Sequence, residues 1–271
     1  MIKLTEANYY SNESSKDYMS VSQLKQFMKC EARAVAELKG EYGPERGRAL
    51  LLGSYVDEWL TGTVESQDRF IEENRSELFK KNGEKYADVL QADEAIRRVM
   101  EQPLMMKYLR GKKQVIMTGE IEGVPFKIKM DSYKPGEFIA DLKYMASLRS
   151  PNLFEPMVKY WGYDLQAACY QEIVYQNTGK RLPFIFVVVT KENPPHLAVG
   201  EINQWNMDEA LETVKARIRE YQKIKNSELS PERCEDYNCK YCAETKILTE
   251  PIDTDLFGMS AAQIKALKGE L

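Results

Sequence analysis

The stretch VPFKIKMDSYKPGEFIADLKYM, residues 124–145, decides the fold. Side chains alternate along an extended strand, so Phe126, Ile128 and Met130 share one face while Lys127, Lys129 and Asp131 share the other. Beyond the turn, Ile139, Asp141 and Lys143 likewise share a face. Pro135, Gly136 and Glu137 read as a three-residue hairpin loop, which pairs Lys134 with Phe138 and predicts Asp131 opposite Asp141. Like charges directly opposed, with Cβ atoms about 4.5–5.5 Å apart, destabilise a sheet unless something positive sits between them. A divalent cation meets that need. Hard oxygen ligands suit Mg²⁺ or Mn²⁺, which share the rest of their shell with water and phosphate. Lys143 would then stand where an ammonium can orient an attacking water or offset charge developing on phosphorus.

Working outward, QVIMTGEIEG, VPFKIKMDSY and EFIADLKYM are three short runs separated by turn signals, which predicts an antiparallel meander. Upstream the pattern is helical. Residues 1–19 look extended and polar; residues 19–41 read as one amphipathic helix with Ser20 or Ser22 as its N-cap and Gly40 near its stop; a second helix covers residues 46–62. The charged segment 64–110 carries helical patches at residues 86–101 and 103–109 and reads as a helical cap. After a loop rich in aromatics and proline come a helix over residues 162–179, an apolar strand over 182–190, a further strand in 196–204 and a charged helix from Asp208 to about Lys225. The predicted class is α/β (α+β), a central mixed sheet flanked by helices. Its expected divisions are an N-terminal helical region, 1–112, a core, 113–228, and a cysteine-rich C-terminal segment, 229–271.

The 271 residues are 43% hydrophobic, enough to bury a full core. The longest apolar run, Phe184–Val189, is far short of the roughly 20 residues that span a bilayer, and MIKLTEANYY lacks the apolar segment of a signal peptide, so a cytoplasmic location is expected. A net charge of −4 gives no overall basic field, although a local groove could still bind nucleic acid. The single histidine, His196, leaves little room for histidine-based catalysis and reads as structural. Four of the five cysteines are placed suggestively: Cys234-x4-Cys239-x2-Cys242, with Cys30 far upstream. Four thiolates can hold a [4Fe–4S] cluster or a tetrahedral Zn²⁺, and spacing does not choose between them. Cys169 reads as a small core residue. Glu120 and Glu122 read as structural or solvent-facing, with a part in metal binding as the alternative role. Tyr160, Trp161 and Tyr163 read as packing residues, with base stacking as the alternative role.

Met130-Asp131 followed across a hairpin by Asp141-Leu142-Lys143 resembles the PD-(D/E)xK nuclease superfamily. Gln166 and Tyr170, four residues apart in YDLQAACYQ, match the Q-x-x-x-Y pair of its RecB-like branch. Asp57, in GSYVDEWL, stands where that branch carries a helical metal ligand, often histidine. SVSQLKQFMKCEARAVAELKG is similar to the opening of the phage and prophage exonuclease VIII (RecE-type) nuclease domain. The resemblance covers roughly residues 18–245. It implies a restriction-endonuclease-like core and a Mg²⁺- or Mn²⁺-dependent exonuclease that degrades linear double-stranded DNA for phage recombination or end resection. Asp57, Asp131, Asp141 and the Leu142 carbonyl would bind the metal, and Lys143, Gln166 and Tyr170 would complete the site. A RecT-like single-strand annealing protein and a ring-shaped homo-oligomer are the implied partners, in a bacterial or phage-infected bacterial cell. RecB-like relatives such as AddB and the CRISPR-adaptation nucleases hold an iron–sulphur cluster on one cysteine before the core and three after it. By that likeness Cys30, Cys234, Cys239 and Cys242 would hold an iron–sulphur cluster, with zinc or ordinary free thiols as the alternatives. Two other readings stand beside this one: a non-catalytic DNA-binding or assembly module that keeps the fold, and a nuclease of the CRISPR-adaptation type acting on single-stranded ends.

Overall fold

β-Branched and aromatic residues build the middle of the sheet. In Phe184–Thr190 every side chain is buried, which marks a strand covered on both faces. The strands are β1 (Lys112–Ile121), β2 (Val124–Lys134), β3 (Phe138–Met145), β4 (Phe184–Thr190) and β5 (Leu197–Glu201), and they lie side by side in that order. The first three form the expected antiparallel meander; β3 and β4 are parallel, and β5 returns antiparallel. The computed structural model describes residues 1–43, 47–148, 154–234, 236–247 and 258–268. Part of the aromatic and proline-rich loop, residues 149–153, and residues 248–257 of the C-terminal segment lie outside them.

Turn chemistry sets the register. Ile121 pairs with Val124 across Glu122 and Gly123, both at positive φ, as a two-residue hairpin requires. Gly136, at φ +78, closes the Pro135–Glu137 loop, and Lys134 pairs with Phe138. The β2–β3 ladder runs from that pair to Ser132 opposite Ala140 and stops one step before Asp131 and Asp141. On the other side, the β1–β2 register is broken at one place, the Gln114–Asp131 pair, where Gln114 takes φ +51. Face alternation shifts there too: Met130 and Tyr133, three residues apart, pack in the same core.

Parallel strands need a crossover, and two helices, α8 (Phe154–Tyr160) and α9 (Tyr163–Thr178), supply it between β3 and β4. The helices before the sheet are α1 (Asn12–Asp17), α2 (Val21–Lys29), α3 (Glu31–Lys39), α4 (Arg48–Thr61), α5 (Val64–Leu78), α6 (Ala87–Met100) and α7 (Pro103–Leu109); α10 (Gln204–Lys225) follows it. One face of the sheet packs Phe126, Ile128, Phe184 and Phe186 against α2, α3, α9 and α10. The other packs Ala140, Leu142, Ile185 and Val187 against α4, α6 and α7. Each large apolar side chain so buried contributes about 1.5–3 kcal/mol.

Three expectations change. The single helix over residues 19–41 is two, because Cys30 is extended (φ −166, ψ 107) and is at once the C-cap of α2 and the N-cap of α3. That break lets Leu24 and Phe27 of one helix and Val35 of the next enter the same core. Ser20 does cap α2, and Gly40 ends α3 at φ +75. Residues 1–19 are not simply extended. They include α1, capped by Ser11, and are held by two buried lysines: Lys127 Nζ donates to Tyr9 O at 2.7 Å and Ser14 Oγ at 2.8 Å, and Lys225 Nζ to Tyr18 O at 2.9 Å and Gln23 Oε1 at 3.1 Å. Burial pulls both ammonium groups down to about 8, so the segment is held at a desolvation cost. Finally, α10 starts at Gln204, ahead of Asp208, because Asn203 caps it through the Asn206 N–H.

All of this belongs to one compact unit, Met1–Arg233. A second unit, Cys234–Leu271, contains α11 (Lys240–Thr245) and α12 (Ala261–Lys268).

Gly111, at the entry to β1, allows a close approach. A Cβ there would stand 2.6 Å from Ser132 Oγ and 2.9 Å from the Tyr133 backbone, on the strand that carries Asp131. Gly111→Ala is expected to destabilise the fold by about 1–3 kcal/mol, read from urea denaturation. An unchanged midpoint would show that β2 can shift away at no cost.

Candidate active site

The hairpin carries Asp131 on β2 and Asp141 and Lys143 on β3. Helix α4, on one side of the sheet, brings Asp57; helix α9, on the other, brings Gln166 and Tyr170. All six line one cleft of about 990 Å³. Gln166 ties the β3 pair together: its Nε2 donates to Asp141 Oδ1 at 2.6 Å, and its Oε1 accepts from Lys143 Nζ at 2.9 Å. Lys143 Nζ also lies 2.6 Å from Asp141 Oδ2. Despite that ion pair, Asp141 Oδ2 is buried without a hydrogen bond of acceptable geometry. Asp131 Oδ2 accepts the Leu142 N–H at 2.9 Å, which takes the place of the next ladder pair. Tyr170 does not reach the carboxylates. Its hydroxyl donates to Lys129 O at 3.0 Å and so fixes the backbone of β2 two residues before Asp131.

A chain of contacts behind Asp57 had no signal in the sequence. Thr61 Oγ1 donates to Asp57 Oδ1 at 2.7 Å and accepts from Gln114 Nε2 at 2.8 Å. The residue whose positive φ interrupts the β1–β2 register thus orients the helical carboxylate.

The electrostatics are those of crowded like charges. Burial raises Asp131 well above the usual carboxylate range, and Asp57 and Asp141 push it further. Burial raises Asp57 as well, opposed by the Thr61 hydrogen bond and Lys129 and reinforced by Asp141. For Lys143, burial favours the neutral amine, but Asp141, Tyr163 and Asp131 outweigh it and hold the ammonium above its ordinary value. Lys25 of α2 faces the same cleft, and burial, with Lys143 nearby, lowers it to about 8. The carboxylates of Asp57, Asp131 and Asp141 line the cleft together and make an all-oxygen donor set. One carboxylate oxygen, beside the Lys143 ammonium, has no hydrogen bond, and burial together with neighbouring carboxylates raises two of the carboxyls. Such a set fits Mg²⁺ or Mn²⁺, since a cation between the carboxylates reverses each of these penalties.

The model of a family described as "PDDEXK-like domain of unknown function (DUF3799)" matches residues 20–245. The chain belongs to this family. A solved structure, named "Putative exonuclease" and from Eubacterium rectale, is similar to it: 42% identical, a TM-score of 0.87, covering 96% of this chain and 100% of that one. No curated protein matches the chain. The five-stranded mixed sheet with helices on both faces is therefore the restriction-endonuclease-like fold of a PDDEXK-like protein.

Tyr163 lines the cleft beneath two cations, with Lys143 Nζ 4.4 Å and Lys25 Nζ 5.4 Å from its ring centre. Tyr160 and Trp161 form an edge-on pair of their own, exposed and outside the cleft lining. Glu122 pairs with Arg219 at 2.6 Å, and the Glu120 backbone exchanges hydrogen bonds with Gln176. His196 is tied by its N–H to Thr190 Oγ1 at 2.9 Å. Cys169 is wholly buried in the core, where burial raises its thiol. In the C-terminal unit, the sulfurs of Cys234, Cys239 and Cys242 lie within 4.8 Å of one another, with Cys234 and Cys242 3.7 Å apart. In the N-terminal unit, Cys30 is buried at the α2–α3 break. Immediately after it, Glu31 Oε2 accepts the Glu232 N–H at 2.9 Å, and the Ala32 N–H donates to Glu232 O at 3.0 Å. No helix among the described residues is long and apolar enough to cross a membrane.

Proposed function

We propose that the chain is a metal-dependent deoxyribonuclease that degrades linear double-stranded DNA from its ends. The observation that carries this reading is the Asp141–Gln166–Lys143 triangle, closed by contacts of 2.6–2.9 Å and set beside Asp131 in one cleft. Asp57, Asp131, Asp141 and the Leu142 carbonyl are the residues that would hold Mg²⁺ or Mn²⁺. When bound, the ion neutralises the scissile phosphate and supplies an activated water. Lys143, kept charged by its neighbours, offsets negative charge developing on the phosphoryl oxygens as a P–O bond breaks, and can supply a proton to the departing oxygen. Gln166 holds Lys143 and Asp141 in one geometry, and Tyr170 anchors the strand beneath them. The name of the Eubacterium rectale structure agrees with an exonuclease. End resection that hands single strands to an annealing protein, by a ring-shaped assembly, is the setting suggested by the exonuclease VIII-like opening helices.

Digestion of linear duplex, closed circular duplex and single-stranded DNA with Mg²⁺ tests the reading. Loss of the linear duplex with the circle intact is the expected result. Cutting of the circle would make the protein an endonuclease, and preference for single-stranded ends would favour the CRISPR-adaptation type.

For the cysteines, the proposal is a metal centre with Cys30 as the fourth ligand to Cys234, Cys239 and Cys242. Three converging thiols leave a tetrahedral set one donor short. The expected outcome is a brown protein after anaerobic purification, carrying iron and sulphide, whose colour is lost in Cys239→Ser. A colourless protein with one equivalent of zinc would select the zinc alternative, and neither metal would refute the centre.

A further inference from the structure

The N-terminal segment presents a pair of tyrosines to the cleft, and the manner of its attachment points to a use. Lys127 is 3% exposed, and its ammonium is spent on the carbonyl of Tyr9 and the hydroxyl of Ser14. Burying a lysine is unfavourable unless its donors are satisfied, so this contact fixes the backbone at Tyr9. Tyr9 itself is buried, and its ring meets that of Tyr10 edge-on, 5.0 Å between centres at 86°. Tyr10 is left 76% exposed, lining the same cleft as Asp57 and Asp131. Lys129, two residues from Asp131, places its ammonium 4.6 Å from the Tyr10 ring centre. The ring keeps one edge-on contact with Tyr9 and one cation beside it, and most of its surface is left open.

We propose that Tyr10 is a stacking platform for a base of the DNA strand being cut, so that the cleft takes that strand unpaired next to the scissile phosphate. This rests on the nuclease reading above and adds the form of its substrate. Stacking explains why the ring is exposed and oriented, and Lys129 beside it suits a passing phosphate. The segment lies ahead of residues 20–245, so the family match does not account for it.

Binding is measured without turnover, with Ca²⁺ in place of Mg²⁺, using a linear duplex that carries 2-aminopurine near one end. Wild-type protein is expected to quench the probe. Tyr10→Ala is expected to lose the quenching and to bind about 5- to 150-fold more weakly, the range for one base–aromatic stack. Tyr10→Phe keeps the ring and is expected to restore both. In Mg²⁺, Tyr10→Ala should raise KM with little change in kcat, and an unpaired overhang should recover part of the loss. Equal quenching by wild type and Tyr10→Ala, or equal impairment in Tyr10→Phe and Tyr10→Ala, would overturn stacking while leaving the nuclease reading intact. Absence of DNA binding by the wild type would overturn both.

Discussion

Asp141→Asn is expected to lower DNA cleavage by about 1,000-fold or more, with the folded protein retained. Asp141 is the point where both halves of the site meet: Gln166 from α9 holds one carboxylate oxygen, and Lys143 from its own strand lies beside the other. The amide would keep a hydrogen bond to Gln166 after a side-chain flip but would present a neutral group to the cation. Loss of a few kcal/mol of charge stabilisation in a dry site corresponds to a rate loss of that order. Circular dichroism and the urea midpoint should stay near the wild type. Cleavage at wild-type rate in this variant would remove Asp141 from the site.

The second large effect separates function from stability. Asp131→Asn should abolish cleavage to a similar degree, yet stabilise the metal-free protein by roughly 0.5–2 kcal/mol, the usual gain when strain held at a functional site is relieved. The reason is the carboxyl raised by burial and by Asp57 and Asp141. Between the unfolded value of about 3.9 and its raised folded value, the native state binds more protons than the unfolded chain. Wild-type stability without metal therefore falls as pH rises through that window, and the asparagine variant should show a shallower fall. The Leu142 N–H can still be accepted by an asparagine oxygen, so the hairpin is kept. Adding Mn²⁺ should raise the wild-type Tm and leave that of the variant nearly unchanged. A variant that is less stable than the wild type without metal would contradict the crowding of carboxylates.

The meander was legible because each of its signals is local: alternation along VPFKIKMD and FIADLK, and a Pro-Gly-Glu turn that sets the pairing of Lys134 with Phe138. The Gln166 and Tyr170 spacing placed both on one face of a helix. That Gln166 reaches β3 while Tyr170 reaches the backbone of β2 depends on how α9 crosses the sheet. The break at Cys30 was hidden because the helical period runs straight through it. The N-terminal segment was hidden for the opposite reason, since it is held by Lys127, Lys225 and Ser14, polar groups that no hydrophobic pattern reveals. Lys25 and Tyr10 line the cleft, and Gln114 reaches Asp57 from behind through Thr61; the three come from separate stretches of the chain, and no spacing connects them.

The most direct measurement is single-turnover cleavage of an end-labelled linear duplex by wild type and Lys143→Ala, each across a Mg²⁺ titration and with EDTA. Cleavage that saturates with Mg²⁺, vanishes in EDTA and falls by about 100-fold or more in Lys143→Ala at saturating metal is the expected result. Cleavage that persists in EDTA, or that proceeds equally fast without the Lys143 ammonium, would contradict a metal-dependent nuclease centred on the β2–β3 hairpin.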